Sequence, residues 1–229
     1  MANLTQLKIL EGLDGFLLVD KPVNIPFASV IKTVKRMFGL VKVGHGGSLD
    51  AQSSGLMVLL IGDANKFTDQ VMGGDREYEG TLDFSYVTNT GDSQGVKSKS
   101  KVEVEQWNVD LSQFKGDVFQ VEPRFAAIRK EGTAEYEVVD TGEHKQFLGH
   151  VYKLELEDGV GERKFFLRAT KNVLPRALAL DMGATLTSLR RVRQWKFELK
   201  DAVPFDKILN TSPADFASLV LPVSAALRA

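Results

Sequence analysis

Residues 15–67 read GFLLVDKPVNIPFASVIKTVKRMFGLVKVGHGGSLDAQSSGLMVLLIGDANKF. GFLLVD (15–20) is a short apolar run closed by Lys21-Pro22, the pattern of a buried strand running into a turn. In SVIKTVKRMFG (29–39), Val30, Ile31, Val34 and Phe38 fall at helical spacing, with Ser29 as N-cap and Gly39 as stop. VGHGGSLDAQSSG (43–55) surrounds one acid, Asp50, with glycines and small hydroxyls. On composition alone it is a flexible turn. LMVLLIG (56–62) is a continuous apolar strand, and DANKFTDQVMGG (63–74) a helix with Asp63 at its start and glycines at its end. The succession therefore sets Asp50 on a loop between buried elements.

Outward from this segment the pattern stays mixed. REYEGTLDFSYVT (76–88) alternates as a strand does, and GDSQGVKSKSK (91–101) is a polar loop. VFQVEP (118–123), HVYKLELED (150–158) and RKFFLRAT (163–170) read as strands, separated by a partly mobile excursion around 124–149. LPRALALDMG (174–183) is a short helix with Pro175 in its first turn and Gly183 as its stop. LTSLRRVRQWKFEL (186–199) alternates basic and apolar residues as an exposed strand would, and SPADFASLVL (212–221) is a final helix. Strands and helices mix without regular βαβ alternation, so the expected class is α+β with a large, mostly antiparallel sheet.

Composition removes several functions. The chain has 229 residues and no cysteine, which excludes disulfide frameworks, thiolate zinc sites and cysteine nucleophiles. With three histidines (His45, His144 and His150), a zinc site is not expected. There is no Walker loop, dinucleotide fingerprint, EF-hand loop or GxSxG elbow. The start, MANLTQLKILEG, lacks the pattern of a signal peptide, and no apolar run reaches membrane-spanning length, so a cytoplasmic protein is expected. Net charge is −1, so any nucleic-acid binding must use a local basic face. Three clusters offer one: Lys32, Lys35, Arg36 and Lys42; Lys97, Lys99 and Lys101; and Arg190, Arg191, Arg193 and Lys196. Each also reads as an ordinary solvated face.

The order of the motifs narrows the choice. DKP, then VGHGGSLDAQSSG, then IGDANKF resembles the amino-terminal signature of the TruB-type tRNA pseudouridine synthases. REY (76–78), TNTGDSQG (88–95), QVEPRFAAIRKEG, PRALALDMG and LTSLRRVRQWKF continue the resemblance over nearly the whole chain. It implies a pseudouridine synthase fold, one catalytic domain over 1–229, and no carboxy-terminal PUA domain. The implied activity is conversion of uridine to pseudouridine in the tRNA T arm, uridine 55, by a monomer with no metal or organic cofactor. The implied partner is RNA, with no membrane.

Roles carry over only where residues match. Asp50 falls on the catalytic aspartate, Tyr78 on the tyrosine that stacks on the flipped base, and Arg176 on the active-site arginine. His45 matches a histidine lying against RNA, and Leu189 an apolar residue beside the target base. Lys21 is expected to organise the site or touch phosphate. Taken singly each has a plainer reading: Tyr78 as core, Arg176 as a helix cap or partner of Asp181, Lys21 as a turn lysine. Gly46, Ser48 and Ala51 stand where the family has Thr, Thr and Pro, so the loop is expected to be looser. Leu174 stands where the family has a second active-site tyrosine. The segment between DMG and LRR is shorter than the family's, so a helix end must be rebuilt. These departures keep a second class open beside the enzyme, a TruB-like RNA chaperone or assembly factor of weak activity. An unrelated protein-binding module is the third class.

Overall fold

The computed structural model describes residues 10, 12–99, 110–129, 136–140, 142 and 145–224. Most of the amino-terminal stretch read for a leader, Lys101, His144 and much of the expected excursion lie outside them. The chain falls into two compact units. The first joins residues 1–74 to 191–229, and the second spans 75–190. No helix among the described residues is long and apolar enough to cross a membrane.

The first unit opens with β1 (Gly15–Lys21), α1 (Phe27–Met37), β2 (Val43–His45) and β3 (Ser54–Ile61). β3 pairs antiparallel with both β1 and β2, from Gly15↔Ile61 to Lys21↔Gly55 and from Val43↔Ile61 to His45↔Leu59. The two long apolar runs are fully buried because both their faces are covered. Leu17, Val19, Met57 and Leu59 pack with Val30 and Val34 of α1, while Phe16, Leu18, Leu56, Val58 and Leu60 pack on the opposite side. α1 begins two residues before the expected Ser29. Its N-cap is Pro26, and Ser29 N–H donates to the Pro26 carbonyl, so the serine lies inside the first turn. Gly39 ends the helix with φ +62°. The expected helix over 63–74 is two pieces, a 3₁₀ turn at Gly62–Phe67 and α2 (Thr68–Gly73).

In the second unit the stretch expected as one strand over 76–88 breaks in two, β4 (Arg76–Asp83) and β5 (Tyr86–Thr88). The Asp83 carboxylate accepts from both the N–H and the hydroxyl of Ser85, a local turn that competes with the ladder. β5 pairs with β6 (Lys97–Lys99). β7 (Gly116–Val121) follows, then β8 (Phe125–Arg129) and β9 (Tyr136–Asp140), which form a hairpin in the described part of the excursion. β10 (Gln146–Leu156) pairs with β7 and with β11 (Glu162–Ala169), and β11 with β4, all antiparallel. Their inner residues close on α3 (Pro175–Asp181) in one apolar cluster that includes Tyr78, Leu167, Leu178 and Leu189.

The shortened connection after α3 is a tight closure. Gly183, at φ +73°, lets Ala184 N–H reach the Ala179 carbonyl at 2.8 Å while Gly183 N–H reaches Leu180 at 2.9 Å. β12 (Thr185–Gln194) starts at the next residue and carries the chain back into the first unit at Arg191. It is not the exposed strand its basic alternation suggests: Leu186, Leu189, Arg191 and Gln194 are all buried. Trp195, at φ +55°, turns it into β13 (Phe197–Glu198). β14 (Val203–Pro204) runs parallel to β1. α4 (Phe205–Leu209) and α5 (Pro213–Phe216) complete the first unit, α5 capped by Ser212 accepting from Asp215 N–H.

Candidate active site

Asp50 is exposed at the tip of the loop between β2 and β3, and the loop's backbone is pinned from beneath. Lys21, the last residue of β1, is fully buried. Its ammonium donates to the carbonyls of Pro22 (2.9 Å), Ile25 (2.9 Å) and Ala51 (3.2 Å). A lysine has three donors, and all three are taken by backbone. Burial lowers its pKa to about 8; the Asp50 charge acts in the opposite direction, and Arg191 lowers it further. Of the two roles expected for Lys21, this geometry suits organising the loop and leaves no donor for phosphate.

Arg191 holds the other flank. It is 1% exposed, and its Nε donates to the Leu56 carbonyl at 2.7 Å and its Nη1 to the Ser48 carbonyl at 3.1 Å. Gln194, also buried, donates through Nε2 to the carbonyls of Gly46 and Val71. Gly46 N–H donates to Val58 at 2.8 Å, and Ser53 N–H to Asp50 at 3.1 Å, which closes the turn. The glycine expected to loosen the loop is a packing requirement instead. A side chain at Gly46 would run into Val71 Cγ1 and crowd Gln194 and Val58. His45 sits edge-on to Phe27 with ring centroids 5.3 Å apart, and its Nδ1 accepts from Gly47 N–H at 3.2 Å. Its ring proton therefore belongs on Nε2.

Tyr78, Arg176 and Leu189 lie in the second unit. Tyr78 on β4 and Leu189 on β12 share its buried cluster. Arg176, in the first turn of α3, does not pair with Asp181. Its Nη1 donates to the Thr90 carbonyl at 3.0 Å and stands 4.0 Å from the Asp92 carboxylate, itself 2% exposed. Asp92 in turn accepts from the Thr90 hydroxyl (2.7 Å) and Gln94 N–H (3.0 Å), while its carbonyl accepts from the Thr88 hydroxyl (2.6 Å). TNTGDSQG is thus a rigid turn built around one carboxylate, and Gly91 at φ +77° lies against the Arg176 carbonyl. At Leu174, Gln120 engages the backbone with both ends of its amide. Oε1 accepts from Leu174 N–H at 2.8 Å, and Nε2 donates to its carbonyl at 3.4 Å. That contact fixes the start of α3, one residue before Pro175 and two before Arg176.

The sequence offers no role for Gln194 or Gln120, and it offers Arg191 only as part of an exposed basic face, which its burial rules out. Arg191 was one of a basic cluster, yet Leu189 and Arg191 stand at the period of two that marks one face of a strand, and both are buried. Lys32, Lys35, Arg36 and Lys42 are exposed, as read.

Residues 35–162 match the family model described as TruB family pseudouridylate synthase (N terminal domain). Among curated relatives, the chain is 32% identical to tRNA pseudouridine synthase B of Methylobacillus flagellatus over 96% of its own length and 78% of that protein's. It is 32% identical to the protein of the same name from Opitutus terrae, covering 93% of this chain and 94% of the relative. The chain belongs to the TruB family of pseudouridylate synthases. Solved structures agree on the fold. A chain of the archaeal box H/ACA sRNP Nop10-Cbf5 complex superposes with TM-score 0.68 at 18% identity, over 96% of this chain and 63% of that one. A chain from an H/ACA RNP bound to a substrate RNA containing 2'-deoxyuridine gives 0.64 at 20%, over 93% and 60%. The chain thus spans about three-fifths of the length of those two structures.

Proposed function

We propose that this protein converts uridine to pseudouridine in the T arm of tRNA, at uridine 55, with Asp50 as the nucleophile. The relatives named tRNA pseudouridine synthase B support the RNA, and the family correspondence supports the position. The observation that carries the reading is the setting of Asp50: an exposed carboxylate on a loop gripped on both flanks by buried cations. A nucleophile needs access to substrate and a fixed backbone, and this loop supplies both.

The reaction is an isomerisation. The carboxylate attacks the target nucleotide at the sugar or the base, and the bond between the sugar carbon and the uracil nitrogen breaks. The uracil turns, its C5 bonds to the sugar carbon, and the bond to Asp50 breaks, which returns the free carboxylate. C5 gives up its proton and the freed nitrogen gains one, so no atom is added and no oxidant is consumed. Tyr78 is assigned to stacking on the flipped base and to removing the C5 proton. Arg176 is assigned the part of the active-site arginine, and His45 and Leu189 contact the RNA. Lys21 organises the Asp50 loop. In this reading the protein works as a monomer in the cytoplasm, without metal or organic cofactor.

The test is pseudouridine formation in an unmodified tRNA transcript, read by carbodiimide-based primer extension. Wild type modifies the T arm, and Asp50→Asn lowers the rate by about 10⁴-fold or more. Wild-type protein that binds the transcript without modifying it would overturn the enzyme reading in favour of an RNA chaperone.

A further inference from the structure

We propose that Arg191 is a positioning residue for the reaction: by tying the Ser48 carbonyl to the Leu56 carbonyl it fixes the turn that presents Asp50. The inference rests on the reading of Asp50 as nucleophile and adds a residue to which that reading gives no part.

The argument begins with burial. A guanidinium 1% exposed carries a heavy desolvation cost, and a strand that needed only an apolar filler would hold Leu or Met there. What the arginine supplies is a planar fork. Its Nε and Nη1 point at two acceptors in a fixed relation, 2.7 Å to Leu56 and 3.1 Å to Ser48. Leu56 belongs to β3, among the most buried strands of the unit, so it is a rigid reference point. Ser48 lies two residues before Asp50. On the far side, Lys21 holds the carbonyl of Ala51, one residue after it. The Asp50 peptide is therefore fixed at both ends from the protein interior, while its own side chain faces solvent.

A lysine could not replace this arrangement. Its ammonium is a single point and cannot span two carbonyls held by different elements with the same geometry. Methionine of similar length would take the donor from both carbonyls, that of Leu56 in a buried position. Either change frees the Ser48 side of the turn while leaving the exposed surface, and hence RNA docking, intact.

The test measures single-turnover rate and transcript affinity separately in Arg191→Met, Arg191→Lys and Arg191→Gly, with Asp50→Asn beside them. The expected result is a rate lowered about 10²-fold in Arg191→Met, the scale of a misplaced reacting group, with Kd for the transcript unchanged. Arg191→Lys recovers part of the rate. Added guanidinium ion raises the rate of Arg191→Gly and leaves Asp50→Asn inactive, a response that a purely structural role would not give. Should Arg191→Met fail to fold, Arg191→Lys carries the decision, since it keeps charge and bulk. A folded Arg191→Lys with wild-type rate, or an Arg191→Gly that guanidinium does not rescue, overturns the inference. An active Asp50→Asn removes the underlying reading instead, so the two failures are distinguishable.

Discussion

Two loops of this protein hold residues matched to family chemistry, and they are held by opposite means. The Asp50 loop is held largely by side chains from other elements. It is gripped from below by Lys21, Arg191 and Gln194, whose polar ends capture its carbonyls. The 88–95 loop organises itself: Asp92 gathers Thr90 and Gln94, Thr88 closes on the Asp92 carbonyl, and Arg176 lays its guanidinium on the result. The Asp50 loop keeps its acid at the surface, and its hold comes from the two cations and the amide beneath it. A loop that only supports an arginine can be folded around a buried acid. The two designs should fail differently.

The self-organised loop should be the more sensitive to added atoms. Gly91 is at φ +77°, where an L side chain is strained, and a Cβ there would lie 2.6 Å from the Arg176 carbonyl oxygen. Gly116, at φ +79°, has nothing within 4 Å of the same position. Gly116→Ala therefore carries the backbone strain alone, about 1–2 kcal/mol. Gly91→Ala carries that and a displaced α3, and turnover should fall about 10²-fold as Arg176 moves. Urea midpoints and single-turnover rates of the two variants separate strain from displacement. Equal rates would show that the Arg176 backbone tolerates movement.

In the Asp50 loop the corresponding test is Gly46→Thr, which installs the residue the family pattern carries there. The added side chain meets Val71, Gln194 and Val58, an overpacking worth about 1–3 kcal/mol. Adding Val71→Ala should return most of the lost stability, because the nearest obstacle is one valine methyl. If Gly46→Thr alone unfolds at the wild-type urea concentration, the loop is as loose as its composition suggests.

That contrast marks where sequence could lead. β1, β3, β10, β11 and α3 were legible because apolar runs, caps and glycine stops are local signals. Asp50, Tyr78 and Arg176 stood out because ordered motifs surround them. Arg191 and Gln194 did not, because their partners are distant backbone carbonyls, which leave no trace in residue identity. Arg191 and Ser48 are 143 residues apart, Gln194 and Gly46 148. Gly46 misled for the same reason: a glycine needed for close packing and one needed for freedom are the same letter. Ser29 misled because Pro26 sets a helical start three residues earlier, which no N-cap preference can override.

The smallest effect expected is also the one most particular to the Asp50 loop. Lys21 is charged at neutral pH, but burial brings its pKa from 10.5 to about 8. Above that, the ammonium loses a proton and with it one of its three donors, and Asp50 loses a positive neighbour. Turnover at saturating RNA should therefore decline with a midpoint near pH 8, and the 88–95 loop, organised around the Asp92 carboxylate, should contribute nothing to that limb. Stability moves the other way. Between about 8 and 10.5 the unfolded chain binds this proton and the folded one does not, so the Lys21 contribution to stability rises with pH across that window. The desolvation cost of the charged lysine is present in full below pH 8 and relieved above it. Loss of rate without loss of melting temperature between pH 7.5 and 9 is the signature of this titration. Lys21→Arg should flatten the limb, because a guanidinium stays protonated throughout. A rate that stays level to pH 9 in wild type would mean that two donors hold the loop as well as three, and that the grip on Asp50 lies with Arg191.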